Sequence, residues 1–300
     1  MMHVTVNAYG KINIFLDCIG KRADGYHEVK MIMQSVRLHD VLQLAPAREN
    51  AVFCDSLYVP NNRNNLAMRA ALLLQEKTDM PPVSIRIKKN IPVSAGMAGG
   101  SSDAAAVLVG ANALFDLGLS EEALMRLGAE IGSDVPFCVR GGTAIAEGRG
   151  ERIRRLPALP KMHVVLVRAD YGVSTASVYK AIQPTDLHPQ KALYAQLLDA
   201  ICEGDTPFIA RHLHNALEAP SFRVEPRTQA RKERLLAAGV EHVLMSGSGP
   251  TLFGLYATEH AAWENFKKIK ALFPNVYLTS TCSSDLIKGG ITLNRGGWDE

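Results

Sequence analysis

Three features of this chain could do chemistry together: a glycine- and serine-rich run, a lysine in an early alternating segment, and an aspartate in a sharp turn. The run reads Pro-Val-Ser-Ala-Gly-Met-Ala-Gly-Gly-Ser-Ser-Asp-Ala-Ala-Ala from Pro92 to Ala106 and passes directly into an alanine-rich segment predicted to be helical. Gly96, Gly99 and Gly100 remove the Cβ atoms that would hold a backbone away from a ligand, and Ser101 and Ser102 put hydroxyls and amides where the helix begins. Unpaired N–H groups and the positive end of the helix dipole then converge on an anion, so the junction suits phosphate. It is neither a P-loop, because no Gly-Lys-Ser/Thr closes it, nor a dinucleotide-binding Gly-x-Gly-x-x-Gly turn after a strand.

The aspartate is Asp134, in Gly132-Ser133-Asp134-Val135-Pro136-Phe137-Cys138. A hydroxyl that attacks phosphorus needs an oriented partner for its proton, and a carboxylate near a lysine can serve while remaining ionised. Lys11 is that lysine: a buried ammonium would keep Asp134 charged and offset negative charge on a transferring phosphoryl group. Alone, Asp134 could simply bond local amides and Lys11 could face water; the two together with the glycine run carry the reading.

The elements that must position these groups follow from periodicity. Lys11 to Asp17 alternates, with Ile12, Ile14 and Leu16 on one face, and reads as a half-buried strand in which Lys11 and Asn13 point the same way. Strands are also predicted at Val29–Val36, Val41–Leu44, Val83–Lys89, His163–Arg168, His242–Ser246, Thr251–Tyr256 and Val276–Thr281. Helices are predicted at Leu66–Glu76, from a Ser120 cap to Glu130 with Gly132 ending it, and at Lys191–Cys202, Arg227–Ala238 and Ala261–Leu272. Strands and helices mix without a regular βαβ repeat, which favours an α+β fold of two domains. The proline-rich stretch Leu156–Pro160 places a boundary between residues 1–155 and 156–300, and Leu286–Glu300, with four glycines, is expected to be loosely held.

Composition narrows the class. Hydrophobic residues make up 47% of the 300, charged residues 21%, and the formal charge is only +3, which argues against a nucleic-acid surface. The five cysteines are scattered with no metal-binding spacing, and His212 and His214, two apart in a predicted helix, point to different faces. No metal site is expected. The N-terminal residues lack the pattern of a signal peptide and no stretch is long enough to cross a bilayer, so a cytoplasmic protein is expected, a monomer or weak homodimer that binds neither membrane nor nucleic acid.

An early lysine-containing strand, a central Gly/Ser loop, a Ser-Asp turn and the late turn Met245-Ser246-Gly247-Ser248-Gly249-Pro250-Thr251 occur here in the order found in the GHMP kinases, and the chain resembles that family over nearly its whole length. The resemblance implies a two-domain fold of mixed sheets with helices packed on them, ATP with Mg²⁺, and an alcohol acceptor. It assigns Lys11 and Asp134 to catalysis and Pro92, Gly96, Met97, Ala98, Gly99, Gly100, Ser101, Ser102 and Asn65 to the nucleotide, with Asn61, Asn62 and Arg63 near the nucleoside. The family's usual Gly-Leu-Gly-Gly-Gly-Ser-Ser departs here to Met97 and Ala98, and Ala98 is expected to have a backbone conformation open to a Cβ. Gly20-Lys21-Arg22-Ala23-Asp24-Gly25-Tyr26-His27-Glu28 is similar to a segment of the members whose acceptor carries a cytidine diphosphate group. By that likeness Tyr26 and His27 hold cytosine, Asn13 lies near the diphosphate or acceptor, and Tyr179, or its rival Tyr171, stacks on the base's other face. A kinase for another small alcohol such as homoserine, which needs no cytosine clamp, and a non-catalytic nucleotide-binding protein are the alternatives.

Overall fold

Two long strands form the spine of the molecule. The structure, a computed structural model, describes residues 2–284 and 289–295. Strands β1 (Met2–Lys21) and β2 (His27–Pro46) run antiparallel through a hairpin whose turn is closed by Arg22 N–H to Tyr26 O (2.8 Å) and Tyr26 N–H to Asp24 Oδ1 (3.1 Å). β3 (Ala51–Cys54), α1 (Leu66–Lys77) and β4 (Val83–Lys88) follow, then α2 (Gly99–Leu114), α3 (Glu121–Ile131) and α4 (Val135–Arg140), and the hairpin of β5 (Thr143–Gly148) and β6 (Arg152–Arg155). These strands join one sheet in the order β3-β4-β2-β1, with β5 on β2 and β6 on β5. The helices cover it: Val4, Val6, Leu42, Leu44 and Ile85 from the sheet interlock with Ala67, Leu74, Ala104, Leu108 and Ala111 from α1 and α2. The small residues of α2 let it lie deep against β1, as their composition predicts.

β7 (His163–Val167) begins a second, antiparallel sheet, completed by β9 (Val243–Met245), β10 (Leu252–Tyr256) and β11 (Val276–Ser280) in the order β11-β7-β10-β9. Between them lie α5 (Thr175–Lys180), α6 (Lys191–Glu203), α7 (Thr206–Arg211), a short strand β8 (His214–Asn215), α8 (Glu218–Val224), α9 (Pro226–Ala237) and α10 (Glu259–Leu272). β8 and the last strand, β12 (Ile291–Arg295), return to pair with β1. The architecture is the expected α+β one, two sheets with helices packed on them.

Several expectations need correction. β1 is buried on both faces from Tyr9 to Cys18 rather than half-buried, because α2 and α4 pack against it on one side and elements from the second half of the chain on the other. Its alternation also breaks: Asn13 pairs with Met33 but Phe15 with Ile32, so Ile14 is an inserted bulge residue. Ile12, Ile14 and Phe15 therefore share one core cluster, and Leu16 joins another. The stretch after Asp134 is a helix, begun with Pro136 in its first turn, where proline's missing N–H has no cost. His212 closes α7 and stacks on Phe208, while His214 lies on a strand, so they share no helix. Of the terminal segment expected to be loose, residues 291–295 form β12, while 286–288 and 296–300 lie outside the described residues. Ala98 sits at φ 58°, in the left-handed region, contrary to the expectation for a residue with a Cβ.

Candidate active site

The glycine run becomes a cradle because two distant segments hold it. Lys11 N–H donates to Met97 O (3.1 Å) and Ser102 Oγ to Tyr9 O (2.7 Å), tying the loop to β1. Ser246 Oγ donates to Gly96 O (2.9 Å) from the turn between β9 and β10. A Cβ on Gly96, at φ 72°, would stand 2.0 Å from Ser246 O, so only glycine lets these two backbones meet. The first helical bond of α2, Ser102 N–H to Ala98 O (2.8 Å), leaves the amides of Gly99, Gly100 and Ser101 ahead of it without intrahelical acceptors. Those residues line a cleft of about 870 Å³. An anion placed there meets amide hydrogens and the positive end of a sixteen-residue helix.

Lys11 sits beneath this mouth, 4% exposed. Its Nζ donates to Asn13 Oδ1 (2.7 Å) and Gly96 O (2.8 Å), and Asn13 in turn donates through Nδ2 to Met31 Sδ (3.3 Å). Burial lowers the Lys11 pKa from its ordinary value, and the charge of Asp134 offsets part of that. Asp134 stands at the start of α4, where its carboxylate makes no capping bond to the helix. Both residues line the cleft and feel each other's charge, but no ion pair joins them: the lysine is held by carbonyl oxygens instead. Gly247 presses on Lys11 and Asn13 from the other side, a Cβ there standing 3.0 Å from the Lys11 ammonium and 3.5 Å from Asn13 Oδ1. That turn is itself fixed by Asn215 Nδ2, which donates to Met245 O (2.7 Å) and Gly247 O (2.8 Å).

Another part of the same cleft is aromatic. Tyr26, His27 and Tyr179 all line it, with the His27 and Tyr179 rings 5.4 Å apart at 33°. Tyr26 is 53% exposed and carries the Arg149 guanidinium 4.9 Å from its ring centre. Burial lowers the His27 pKa and the charge of Lys21 lowers it further, so the imidazole is neutral near pH 7. Burial pushes the Tyr179 phenol up, keeping it a protonated donor. Tyr171 does not line the cleft; its hydroxyl meets Thr228 Oγ1 (3.3 Å) and Arg227 covers its ring.

Thus Lys11, Asn13, Asp134, Gly96, Ala98, Gly99, Gly100, Ser101, Tyr26, His27 and Tyr179 come together as the sequence suggested. Six candidates stand apart. Met97 is packed in the core, Ser102 turns its hydroxyl inward to Tyr9 and Ala98, and Pro92 lines a separate hollow. Asn65 caps α1, accepting from Ala67 N–H and donating to Pro60 O, while Asn61 accepts from the Cys54 N–H at the end of β3 and Asn62 from the Asn64 N–H. Gly247 and Ser248 of the late turn also line the cleft, as do Arg149, Thr175 and Lys180, which sequence reasoning passed over. Arg149, isolated between Gly148 and Gly150 at the tip of the β5–β6 hairpin, was the one with a signal: a charged residue in a turn that glycines shape. Among the described residues no cluster of three or more His, Cys, Asp or Glu could hold a metal, and no helix is long and apolar enough to cross a membrane.

A helix-start anion cradle with a buried lysine and an uncapped carboxylate at its mouth is the equipment of a phosphoryl-transfer enzyme. The models for the GHMP kinases N terminal domain and the GHMP kinases C terminal domain match residues 65–142 and 197–275, and the chain belongs to the GHMP kinase family. Within it the chain is 45% identical over 281 residues to the 4-diphosphocytidyl-2-C-methyl-D-erythritol kinase of Moorella thermoacetica, covering 93% of this chain and 99% of that one. A crystal structure of 4-(cytidine 5'-diphospho)-2C-methyl-D-erythritol kinase superposes with a TM-score of 0.77 at 34% identity, covering 92% of this chain and 98% of that one. A homoserine kinase from Cytophaga hutchinsonii has a TM-score of 0.75 at only 18% identity, over 97% of each chain, and shares the fold.

Proposed function

We propose that this chain transfers the γ-phosphoryl group of ATP to the tertiary 2-hydroxyl of 4-diphosphocytidyl-2-C-methyl-D-erythritol, a step of the non-mevalonate isoprenoid pathway. The observation that carries the reading is one cleft lined both by an anion cradle with Lys11 and Asp134 and by Tyr26, His27 and Tyr179. The amides of Gly99, Gly100 and Ser101 hold the ATP phosphates. As the acceptor oxygen bonds to phosphorus, its proton passes to Asp134 and the bond to the β-phosphate oxygen breaks, releasing ADP. An alcohol is too weak an acid to lose its proton early, so Asp134 acts as the new bond forms. The Lys11 hydrogens, already aimed at oxygen acceptors, offset charge on the transferring group. The described residues offer no cluster of three or more His, Cys, Asp or Glu, so Mg²⁺ would be held chiefly by the ATP phosphates themselves and would supply neutralisation of their charge.

Tyr26 and Tyr179 take the faces of cytosine and neutral His27 its polar edge, with Lys21, Arg149 and Lys180 lining the path for the diphosphate. Asn13 orients Lys11 and lies near the acceptor. Among the nucleotide positions, Pro92, Met97, Ser102 and Asn65 act by shaping the backbone. We place the enzyme in the cytoplasm as a monomer or weak homodimer that acts on a small molecule, supported by five free cysteines and a near-neutral charge. We divide it near residues 155 and 156, supported by the change of sheet between β6 and β7. An ADP-release assay offering the cytidyl diphosphate alcohol beside homoserine and mevalonate tests the function: turnover confined to the first supports it, and turnover of either other alcohol, or of none, overturns it.

A further inference from the structure

Behind the cradle lies a buried ionic group that the chemistry above does not use. Lys89, just past β4, is held by Asp40 of β2 and by Asp103 Oδ2 (2.7 Å) of α2, with side-chain exposures of 6%, 0% and 2%. Asp40 also accepts from the amides of Asn90 (2.6 Å) and Ile91 (2.7 Å), the residues that lead into Pro92. The cluster thus grips the chain immediately before the loop and immediately after it. It also lies directly under the cradle, the Lys89 ammonium being 3.4 Å from where a Gly99 Cβ would stand.

Its charges do not balance. One ammonium serves two carboxylates, and Asp103 Oδ1 is buried with no hydrogen-bond partner. A lone buried carboxylate oxygen is costly as an anion and far less so as O–H. Burial pushes Asp103 up and Asp40 adds to it, against the pull of Lys89, to about 7. Lys89 stays charged, since the two carboxylates outweigh its own burial. The other ionisable groups facing the cluster are Asp55, which accepts from the Lys89 amide, and the thiols of Cys54 and Cys138, which burial keeps protonated.

We propose that Asp103 is a positioning residue for the nucleotide: through Lys89 and Asp40 it clamps both ends of the 92–102 loop in its phosphate-binding shape. When Asp103 loses its proton, the cluster gains an unbalanced negative charge beneath bound phosphates and ATP binding weakens. The inference rests on the cradle being the ATP site. The test measures KM for MgATP, kcat and calorimetric MgATP binding from pH 6.5 to 8.5 on the full chain, comparing wild type with Asp103→Asn and Asp103→Ala. Asparagine keeps an oxygen for Lys89 but cannot ionise. The wild-type KM for ATP should climb about threefold more than that of Asp103→Asn between pH 7 and 8.5, with kcat little changed; the nucleotide's own titration is common to both and cancels. Asp103→Ala should raise that KM about tenfold throughout, and Asp103→Asn should restore it at pH 6.5. Superimposable wild-type and Asp103→Asn profiles overturn the proposal, including when Asp103→Ala fails to fold. Wild-type protein that binds no ATP at all would instead defeat the assignment of the cradle.

Discussion

The two ends of the cleft are built on opposite plans. At the phosphate end Lys11 and Asn13 are buried, their side-chain polar atoms and Gly96 O are all bonded, and segments some 150 residues apart are joined at 2.9 Å. At the aromatic end Tyr26 is half exposed on a hairpin turn; its ring meets the Arg149 guanidinium, and the His27 and Tyr179 rings meet each other. Preorganised dipoles and charges aid a reaction only if they do not have to move, whereas a stacking surface tolerates adjustment because it is non-directional. The difference implies that the phosphate end sets turnover and the aromatic end sets affinity.

Substitutions break that contrast in graded fashion. Asp134→Asn should lower kcat by roughly 10²–10⁴-fold while ATP still binds, since it removes the proton acceptor and little else; near-normal turnover in an ADP-release assay would eliminate Asp134 as the base. Lys11→Met should cut kcat by about 10²–10³-fold, read in the same assay, with some loss of ATP affinity. Tyr26→Ala should leave kcat within about twofold and raise KM for the cytidine substrate by roughly tenfold, about 1.4 kcal/mol. An equal fall in kcat would show that the aromatic end is as rigidly coupled as the other.

Smaller effects sharpen the picture. Because the His27 pKa is lowered, the ring stays neutral as pH falls through its ordinary value of 6.5 and protonates only below it. KM for the cytidine substrate should therefore stay level from pH 8 to about 6.5 and rise only in more acidic solution, and His27→Gln should abolish that rise. Ala98→Gly relieves a left-handed alanine, about 1 kcal/mol, against a similar entropy penalty for glycine in the unfolded chain. Its melting temperature should move by no more than a few degrees, with ATP binding retained.

Much of the site was legible because its residues come in contiguous runs whose chemistry is local. Gly96 to Ser101, Tyr26-His27 and the 245–251 turn each announce themselves by composition, and the cradle forms from one of them. The order of the runs along the chain supplied the family. What periodicity could not reveal was tertiary in origin. The bulge at Ile14 flips Leu16 into a different cluster, and nothing in Lys-Ile-Asn-Ile-Phe-Leu-Asp signals an inserted residue. α4 was hidden because six residues carry too little periodicity, and β12 because its pairing with β1 spans almost the whole sequence. Ser102 misled for a related reason: a serine at a helix start is equally able to face the ligand or the strand behind it, and Tyr9 O decides.

The meeting of Gly96 with the Ser246–Gly249 turn also bears on how the protein is made. A ribosome that has released the first 155 residues has synthesised every residue of the cradle and none of its opposite wall. The nascent chain should gain its grip on nucleotide late in synthesis, as the turn beyond Met245 emerges and closes over the loop.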